Sequence, residues 1–453
     1  MPRREHLLKI GVSGIRGVVG EFLTPSLACA FAQAFGAYVG PGRVVVGRDT
    51  RRSGPMLQHA VCCGLLAAGC EPVDVGVLPT PTIQIYTGHT RARGGIAITA
   101  SHNPPEYNAL KLFNGAGLFF NTYERSELLD LYHQSEFRQA VNAEIRRVRR
   151  DYETPAGLHF ERVLRHINTE AVRARRFRVA LDAVNGAGSL LSRRFLEQEL
   201  QCRLHAIFVD PDLPFPRVAE PRPDTLGELA ALVRSSGSEI GFAQDPDGDR
   251  LAVCDETGRV LDNDDVLALA VDAALRRLPG DVVVNLTTSS VTDDVARAHG
   301  RRVYRTPVGE ANVVEMIQAV GAAIGGEGSN GGIILPAVHL CRDSYTGMAF
   351  LLDRMAETGL RISELAARLP RYFRRFGQAR YEHGRLGALM QALEDQFPEA
   401  ETDRSDGLKI TLAEGWVHVR SSNTEPLLRI AAEARSEDGA ERLFAQTMRL
   451  LES

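Results

Sequence analysis

The serine in Ile98-Thr99-Ala100-Ser101-His102-Asn103-Pro104-Pro105 is the residue best placed by its neighbours to do chemistry. The apolar, strand-like Gly94-Gly95-Ile96-Ala97-Ile98 delivers it onto a turn, and the two prolines stop both strand and helix from continuing. A hydroxyl beside an imidazole, displayed at a strand end, is a candidate nucleophile or phosphoryl acceptor. Taken alone, the same residues also make an Asn-Pro turn with a capping serine. Further loops elsewhere in the chain decide between the two.

Gln244-Asp245-Pro246-Asp247-Gly248-Asp249-Arg250 follows the strand-like Ile240-Gly241-Phe242-Ala243. Carboxylates at alternate positions repel one another unless a cation sits among them, and hard oxygens at this density favour Mg²⁺. The alternative is an acidic surface turn; an EF-hand is excluded, because the later ligands and the closing Glu are missing. Gly325-Gly326-Glu327-Gly328-Ser329-Asn330-Gly331-Gly332 is a flexible loop or a mobile connector. Its Glu327 and Ser329 offer an acceptor and a hydroxyl suited to sugar hydroxyls. In Arg420-Ser421-Ser422-Asn423-Thr424-Glu425-Pro426-Leu427-Leu428-Arg429, two arginines flank hydroxyl and amide donors on a turn. That makes a nest for a dianionic phosphate, or else a polar turn between strands. Near the start, Gly11, Gly14 and Gly17 surround Arg16, allowing close backbone approach and a bidentate phosphate contact.

Strand, polar turn, helix and strand recur in that order to carry these loops. Val44-Val45-Val46 leads through a polar turn and a helix over 55–68 to a strand over 71–75. Strands at 177–182 and 204–209, and at 281–285 and 302–305, repeat the arrangement. The spacing predicts three α/β domains of similar plan with mixed, mainly parallel sheets. After Pro370 a strand, a helix, paired strands and a terminal helix predict a smaller α+β C-terminal domain, the four enclosing a central cleft. The expected boundaries are 1–152, 153–255, 256–369 and 370–453. Arg146-Arg147-Val148-Arg149-Arg150 reads as the solvated face of a helix near the first junction.

Composition narrows the function classes. A length of 453 residues, 44% hydrophobic with 24% charged, suits a folded chain of three or four domains. The net charge of −4 gives no electrostatic footprint for nucleic acid or anionic membrane. Seven cysteines without a Cys-x-x-Cys pair read as thiols of a reducing compartment. No apolar run reaches the length of a spanning helix, and the N-terminus has no signal-type segment. The expected location is cytoplasmic, the expected assembly a monomer or homodimer.

In these motifs, Thr99 to Pro104 and Asp245 to Arg250 above all, the chain resembles the α-D-phosphohexomutase family, closest to its archaeal-type branch of phosphoglucosamine mutases and phosphomannomutase/phosphoglucomutases. The resemblance implies reversible movement of phosphate between C1 and C6 of a hexose. Ser101 would carry the phosphoryl group; Asp245, Asp247 and Asp249, with the Ser101 phosphate, would hold Mg²⁺. Hexose 1,6-bisphosphate would be intermediate and activator. Arg250 and Lys111 would neutralise the transferring group, and Arg16 and His102 would bind or take the proton of the reacting hydroxyl. Glu327 and Ser329 would hold the sugar; Arg420, Ser422, Asn423, Thr424 and Arg429 would hold the phosphate that is not reacting. Two departures stand out: Gly331 where many relatives have histidine, and Val12 where a threonine is usual. The preferred substrate is read as glucosamine 6-phosphate, with mannose or glucose phosphates as the alternative. A sugar phosphatase using the same serine and a silent sugar-phosphate sensor are the competing classes.

Overall fold

Runs of β-branched residues bounded by caps and turns build four sheets in sequence. The computed structural model describes residues 9–11, 14–134, 137, 139–381, 384–421 and 427–452. Val12, Ser422, Asn423 and Thr424 therefore lie outside the described residues. The first sheet contains β1 (Lys9–Gly11), β2 (Gly14–Val18), β3 (Arg43–Arg48), β4 (Glu71–Val77), β5 (Gly94–Ile98), β6 (Tyr107–Asn114) and β7 (Arg149–Arg150), in the order β1-β2-β6-β5-β3-β4-β7. Val44, Val45 and Val46 are fully buried, as expected of a parallel strand covered on both faces. Thr24 caps the helix Pro25–Val39 by accepting from Leu27 N at 3.2 Å, with Pro25 in its first turn.

The basic run at the first junction departs from the helical expectation. Residues 145–148 are irregular, and Arg149 and Arg150 form β7 beside Val73 and Asp74 of β4. Arg149 Nε reaches Glu71 Oε1 at 2.7 Å. The backbone pairing and the acidic residues on β4 outweigh a helical propensity that no apolar face supports.

The second sheet is β8 (Arg178–Asp182), β9 (Arg203–Ile207), β10 (Ile240–Gln244) and β11 (Leu251–Asp255), ordered β11-β10-β8-β9. The third is β12 (Val282–Asn285), β13 (Val303–Thr306), β14 (Ile324–Glu327) and β15 (Gly332–Ile334), ordered β13-β12-β14-β15. Read from the other edge, this is the order of the second sheet and of β6-β5-β3-β4 in the first. In each, two parallel pairings are followed by one antiparallel hairpin. The three hairpin turns carry Ser101, the three aspartates and the Gly328–Gly331 loop. One topological position, used three times, sets the chemistry.

A single hydrophobic cluster runs through the first three units, from Val45 and Val75 through Phe160, Phe195 and Phe242 to Val282 and Met348. The antiparallel sheet of the fourth comprises β16 (Phe373–Arg380), β17 (Glu401–Asp403), β18 (Leu408–Leu412), β19 (Gly415–Ser421) and β20 (Leu427–Ala434). It has a separate core around Leu393, Ile410, Val417 and Leu443. Polar contacts join it to the third unit: Lys409 Nζ to Leu286 O at 2.6 Å, Glu433 Oε1 accepting from Ser290 N at 2.8 Å, and Arg374 with Asp262 and Asp264. No helix among the described residues is long and apolar enough to cross a membrane.

Candidate active site

Ser101 sits at φ +49°, in the left-handed region a serine seldom adopts, and is 3% exposed. Hydrogen bonds over-determine that conformation. The Ser101 N–H donates to Thr99 Oγ1 at 3.0 Å, and Thr99 Oγ1 donates to Asp49 Oδ2 at 2.7 Å. Asp49 also accepts from Arg51 Nε at 3.0 Å. The Arg51 guanidinium in turn donates to the carbonyls of Ser101, Asn103, Pro104 and Tyr107 at 2.6–3.1 Å. Asp49 and Arg51 stand at the end of β3, so the first parallel strand anchors the serine loop beside it.

The metal candidates meet the serine directly. Ser101 Oγ donates to Asp245 Oδ2 at 2.8 Å, across the junction of the first two units. One oxygen each of Asp245, Asp247 and Asp249 lies within 4.8 Å of the others, and all three residues are buried. Asp247 Oδ2 accepts from Thr80 Oγ1 and Lys111 Nζ, both at 2.6 Å; Lys111 is also 3.5 Å from Asp249 Oδ2. The other oxygens, Oδ1 of Asp247 and of Asp249, are buried without any donor. Buried carboxylate oxygens are not left bare cheaply. Three oxygen donors, two of them carrying an orphaned lone pair set, fit a hard divalent cation.

The charges are strongly coupled. Burial pushes the Asp245 carboxyl well above its usual range, helped by Asp249 and Asp247. Burial acts upward on Asp247 as well, but Lys111 and the hydrogen bonds from Asp245, Lys111 and Thr80 hold it below the ordinary range. Lys111 stays protonated, because Asp247 and Asp249 more than offset its burial. His102 Nδ1 is 3.4 Å from Ser101 Oγ. Burial, then Arg250, Arg16 and Arg342, bring its pKa down to about 2 against the pull of Asp247, so the imidazole is neutral and a weak base, suited to hydrogen bonding at the serine oxygen rather than to holding a proton.

A cavity of about 880 Å³ opens over this cluster, lined by Arg16, Ser101, His102, Lys111, Arg250 and Glu327 among others. Arg16 is steered by Asn103 Oδ1 at 2.8 Å and Arg250 by Glu220 Oε1 at 2.6 Å. Glu327 Oε1 accepts from Asn285 Nδ2 at 3.0 Å and Gly309 N at 2.9 Å, and its Oε2 accepts from Arg342 Nη1 at 3.4 Å. Ser329 is exposed and does not line the cavity, nor do Arg420 and Arg429. The two arginines face each other across β19 and β20, and Arg420 lies 4.0 Å from Asp406. Asp406 accepts from Val308 N at 3.0 Å, on the cavity wall, so among the described residues the fourth unit meets the rim without lining the cavity.

Arg342 and Glu310, among the lining residues that the sequence reading did not single out, are tied to the aspartate and Gly-rich loops. Arg342 bridges Asp249 at 2.7 Å, Glu310 at 3.0 Å and Glu327 at 3.4 Å, joining the aspartate loop to the Gly-rich loop. It precedes Asp343, which caps the helix Ser344–Thr358. A cation at a helix N-terminus opposes the dipole, and that was its one local signal. Glu310 carried none, since an acid in a helix's first turn is unremarkable.

Comparison with known proteins bears on this arrangement. The sequence matches the phosphoglucomutase/phosphomannomutase alpha/beta/alpha domains I, II and III over residues 7–139, 158–258 and 262–373, and the C-terminal domain of the same family over 384–450. It is 38% identical to a phosphoglucomutase/phosphomannomutase of Thermococcus kodakarensis, over 98% of each chain. It is also 38% identical to a probable phosphoglucosamine mutase of Methanopyrus kandleri, over 96% of this chain and 95% of that one. The fold superposes on a phosphoglucomutase/phosphomannomutase family protein from Burkholderia thailandensis with TM-score 0.86 and 28% identity, covering 98% and 96% of the two chains.

Proposed function

Since the chain belongs to the phosphoglucomutase/phosphomannomutase family, we propose that it is a phosphohexomutase interconverting hexose 6-phosphate and hexose 1-phosphate, with glucosamine 6-phosphate as preferred substrate. The observation that carries this is the 2.8 Å contact of Ser101 with an aspartate of a buried three-carboxylate cluster, at the floor of a cavity large enough for a hexose bisphosphate. A phosphoglucomutase/phosphomannomutase is the second reading, favoured by the relative from Thermococcus kodakarensis. The units proposed to carry the parts are 1–152, 153–255, 256–369 and 370–453.

Phosphorylated Ser101 gives its group to the free hydroxyl of a hexose monophosphate. The serine P–O bond breaks as the sugar P–O bond forms, and the hydroxyl proton leaves to solvent, with neutral His102 as a hydrogen-bond partner of the reacting oxygens. Asp245, Asp247 and Asp249, with the Ser101 oxygens, would hold Mg²⁺, which would supply positive charge to offset the negative charge of the transferring group. Lys111 and Arg250 add fixed positive charge at the same place, while Arg16 orients the hydroxyl. Glu327 holds the sugar ring from the cavity wall, and Ser329, on the exposed side of the same turn, would join it only if the loop moves inward. Arg420 and Arg429, with Ser422, Asn423 and Thr424, hold the distant phosphate; two arginines directly opposite on paired strands repel unless an anion lies between them. The bisphosphate then turns end for end and returns its other phosphate to Ser101. A soluble cytoplasmic protein, monomeric or homodimeric, is the setting we propose.

The test is turnover of glucosamine, mannose and glucose 6-phosphates with Mg²⁺ and a hexose 1,6-bisphosphate activator. 1-Phosphate product is expected, with Ser101→Ala losing at least about a thousandfold in kcat. Release of inorganic phosphate without 1-phosphate would replace the mutase by a phosphatase.

A further inference from the structure

The aspartate loop of the second unit is held by a helix of the first. The helix Thr80–His89 meets Asp247 at two points: the Thr80 N–H donates to the Asp247 carbonyl at 2.9 Å, and Thr80 Oγ1 donates to Asp247 Oδ2 at 2.6 Å. Pro79, just before the helix, supplies no side-chain cap, so the Asp247 carbonyl takes the place of one. Gly248 permits the approach: it has φ +65°, and a Cβ there would stand 3.1 Å from Pro79 Cβ. Thr80 is 1% exposed and does not line the cavity, so it touches no substrate.

The same helical turn is fixed on its other side. Thr82 Oγ1 is 2.9 Å from His159 Nδ1, and His159 Nε2 is 3.1 Å from Asp343 Oδ2, all three residues being buried. Asp343 follows Arg342, which reaches Asp249 at 2.7 Å. A buried polar chain through three units therefore keeps the start of this helix from swinging away from the aspartates.

The two oxygens of Asp247 are used differently. Oδ2 accepts from both Thr80 and Lys111, while Oδ1 is buried without a donor. A carboxylate with one oxygen fixed by two donors presents the other in a single direction. Lys111 contributes charge on a flexible stem; the short, β-branched threonine contributes direction.

We propose that Thr80 is a positioning residue for the divalent cation, its hydroxyl holding Oδ2 of Asp247 so that the free Oδ1 is presented to Mg²⁺. This rests on the reading of the three aspartates as a metal site, and it ties metal affinity to the seating of the first unit on the second.

The test is titration of Mn²⁺, as a paramagnetic substitute for Mg²⁺, into the full-length wild type, Thr80→Val, Thr80→Ser and Thr80→Ala, with free Mn²⁺ read by electron paramagnetic resonance. Thr80→Val keeps the shape and removes the donor; Thr80→Ser keeps the donor and removes a methyl. Thr80→Val is expected to raise the Kd for Mn²⁺ about ten- to a hundredfold and Thr80→Ser by less than about threefold. In turnover, the Mg²⁺ concentration giving half the maximal rate should rise in Thr80→Val by the same factor, with kcat restored at saturating Mg²⁺. Thr80→Val binding Mn²⁺ as tightly as wild type overturns the proposal. So does an equal loss in Thr80→Ser, which would assign the effect to packing. If Thr80→Val does not fold, Thr80→Ala against Thr80→Ser decides by the same comparison. A wild type that binds no Mn²⁺ at millimolar concentration would instead remove the metal reading on which the proposal rests.

Discussion

Ser101 owes its geometry to a residue that touches no substrate. Arg51 ties four carbonyls of the serine loop while pairing with buried Asp49. Arg51→Ala would leave that carboxylate without its partner and the loop without its tie. It is expected to lower stability by about 3 kcal/mol, read from the urea midpoint. A fall of about a hundredfold in kcat should accompany it, since a loop displaced by an ångström misaligns the transfer. His102 yields a pH prediction. Its pKa is about 2 in the fold against 6.5 for the free side chain, so between those values the unfolded chain binds the extra proton. The contribution to stability is present above about pH 6.5 and is lost as pH falls. Urea melts of the unphosphorylated protein at pH 4 to 7 should show a decline of up to about 1.4 kcal/mol per pH unit that His102→Gln lacks; parallel curves would contradict it.

The working element is the antiparallel hairpin turn of each α/β sheet, at an edge of the second and third sheets and inside the first, where β2 and β1 lie beyond β6. Its tightness explains Gly331, where many relatives carry histidine. Gly331 has φ +67°, and a Cβ there would stand 2.6 Å from the Leu251 carbonyl oxygen. The β14–β15 turn is packed against the start of β11, so the third hairpin leans on the second. Gly331→His is therefore expected to destabilise by about 2 kcal/mol or more and to raise no rate, as thermal melting and the mutase assay would report. An active variant as stable as wild type would mean that the loop can be re-formed. The opposite edge of the first sheet accounts for the basic run at the first junction: β7 pairs parallel with β4, which carries Glu71 and Asp74.

The molecule as a whole divides three to one. The first three units share a continuous apolar core, and the fourth has its own, attached by polar contacts. Such a seam opens at lower cost than a shared core. Arg420 and Arg429, outside the cavity lining, would reach a substrate phosphate by closure of this unit over the rim at Val308. Arg420→Ala is expected to raise KM about tenfold with a smaller change in kcat. Bound hexose bisphosphate with Mg²⁺ should contract the radius of gyration in solution scattering. An unaltered KM would separate this nest from the substrate.

Much was legible in the chain. Apolar periodicity predicted the strands of the three repeated units and the α+β end because burial on both faces leaves a local mark. The Asp245 to Arg250 and Thr99 to Pro104 stretches were legible because like charges or two prolines in a row rarely stand without a reason. Local sequence by itself therefore determined the four units, the serine and the acidic loop. Only the tertiary structure decided that Ser101 meets Asp245, that Arg342 joins loops whose partners Asp249 and Glu327 lie 93 and 15 residues away along the chain, that Glu310 keeps an unpartnered oxygen, and that Arg149 and Arg150 extend a sheet. Those facts depend on which groups share a buried volume, and desolvation and Coulomb energy are set by distance in space, which residue spacing along the chain does not encode.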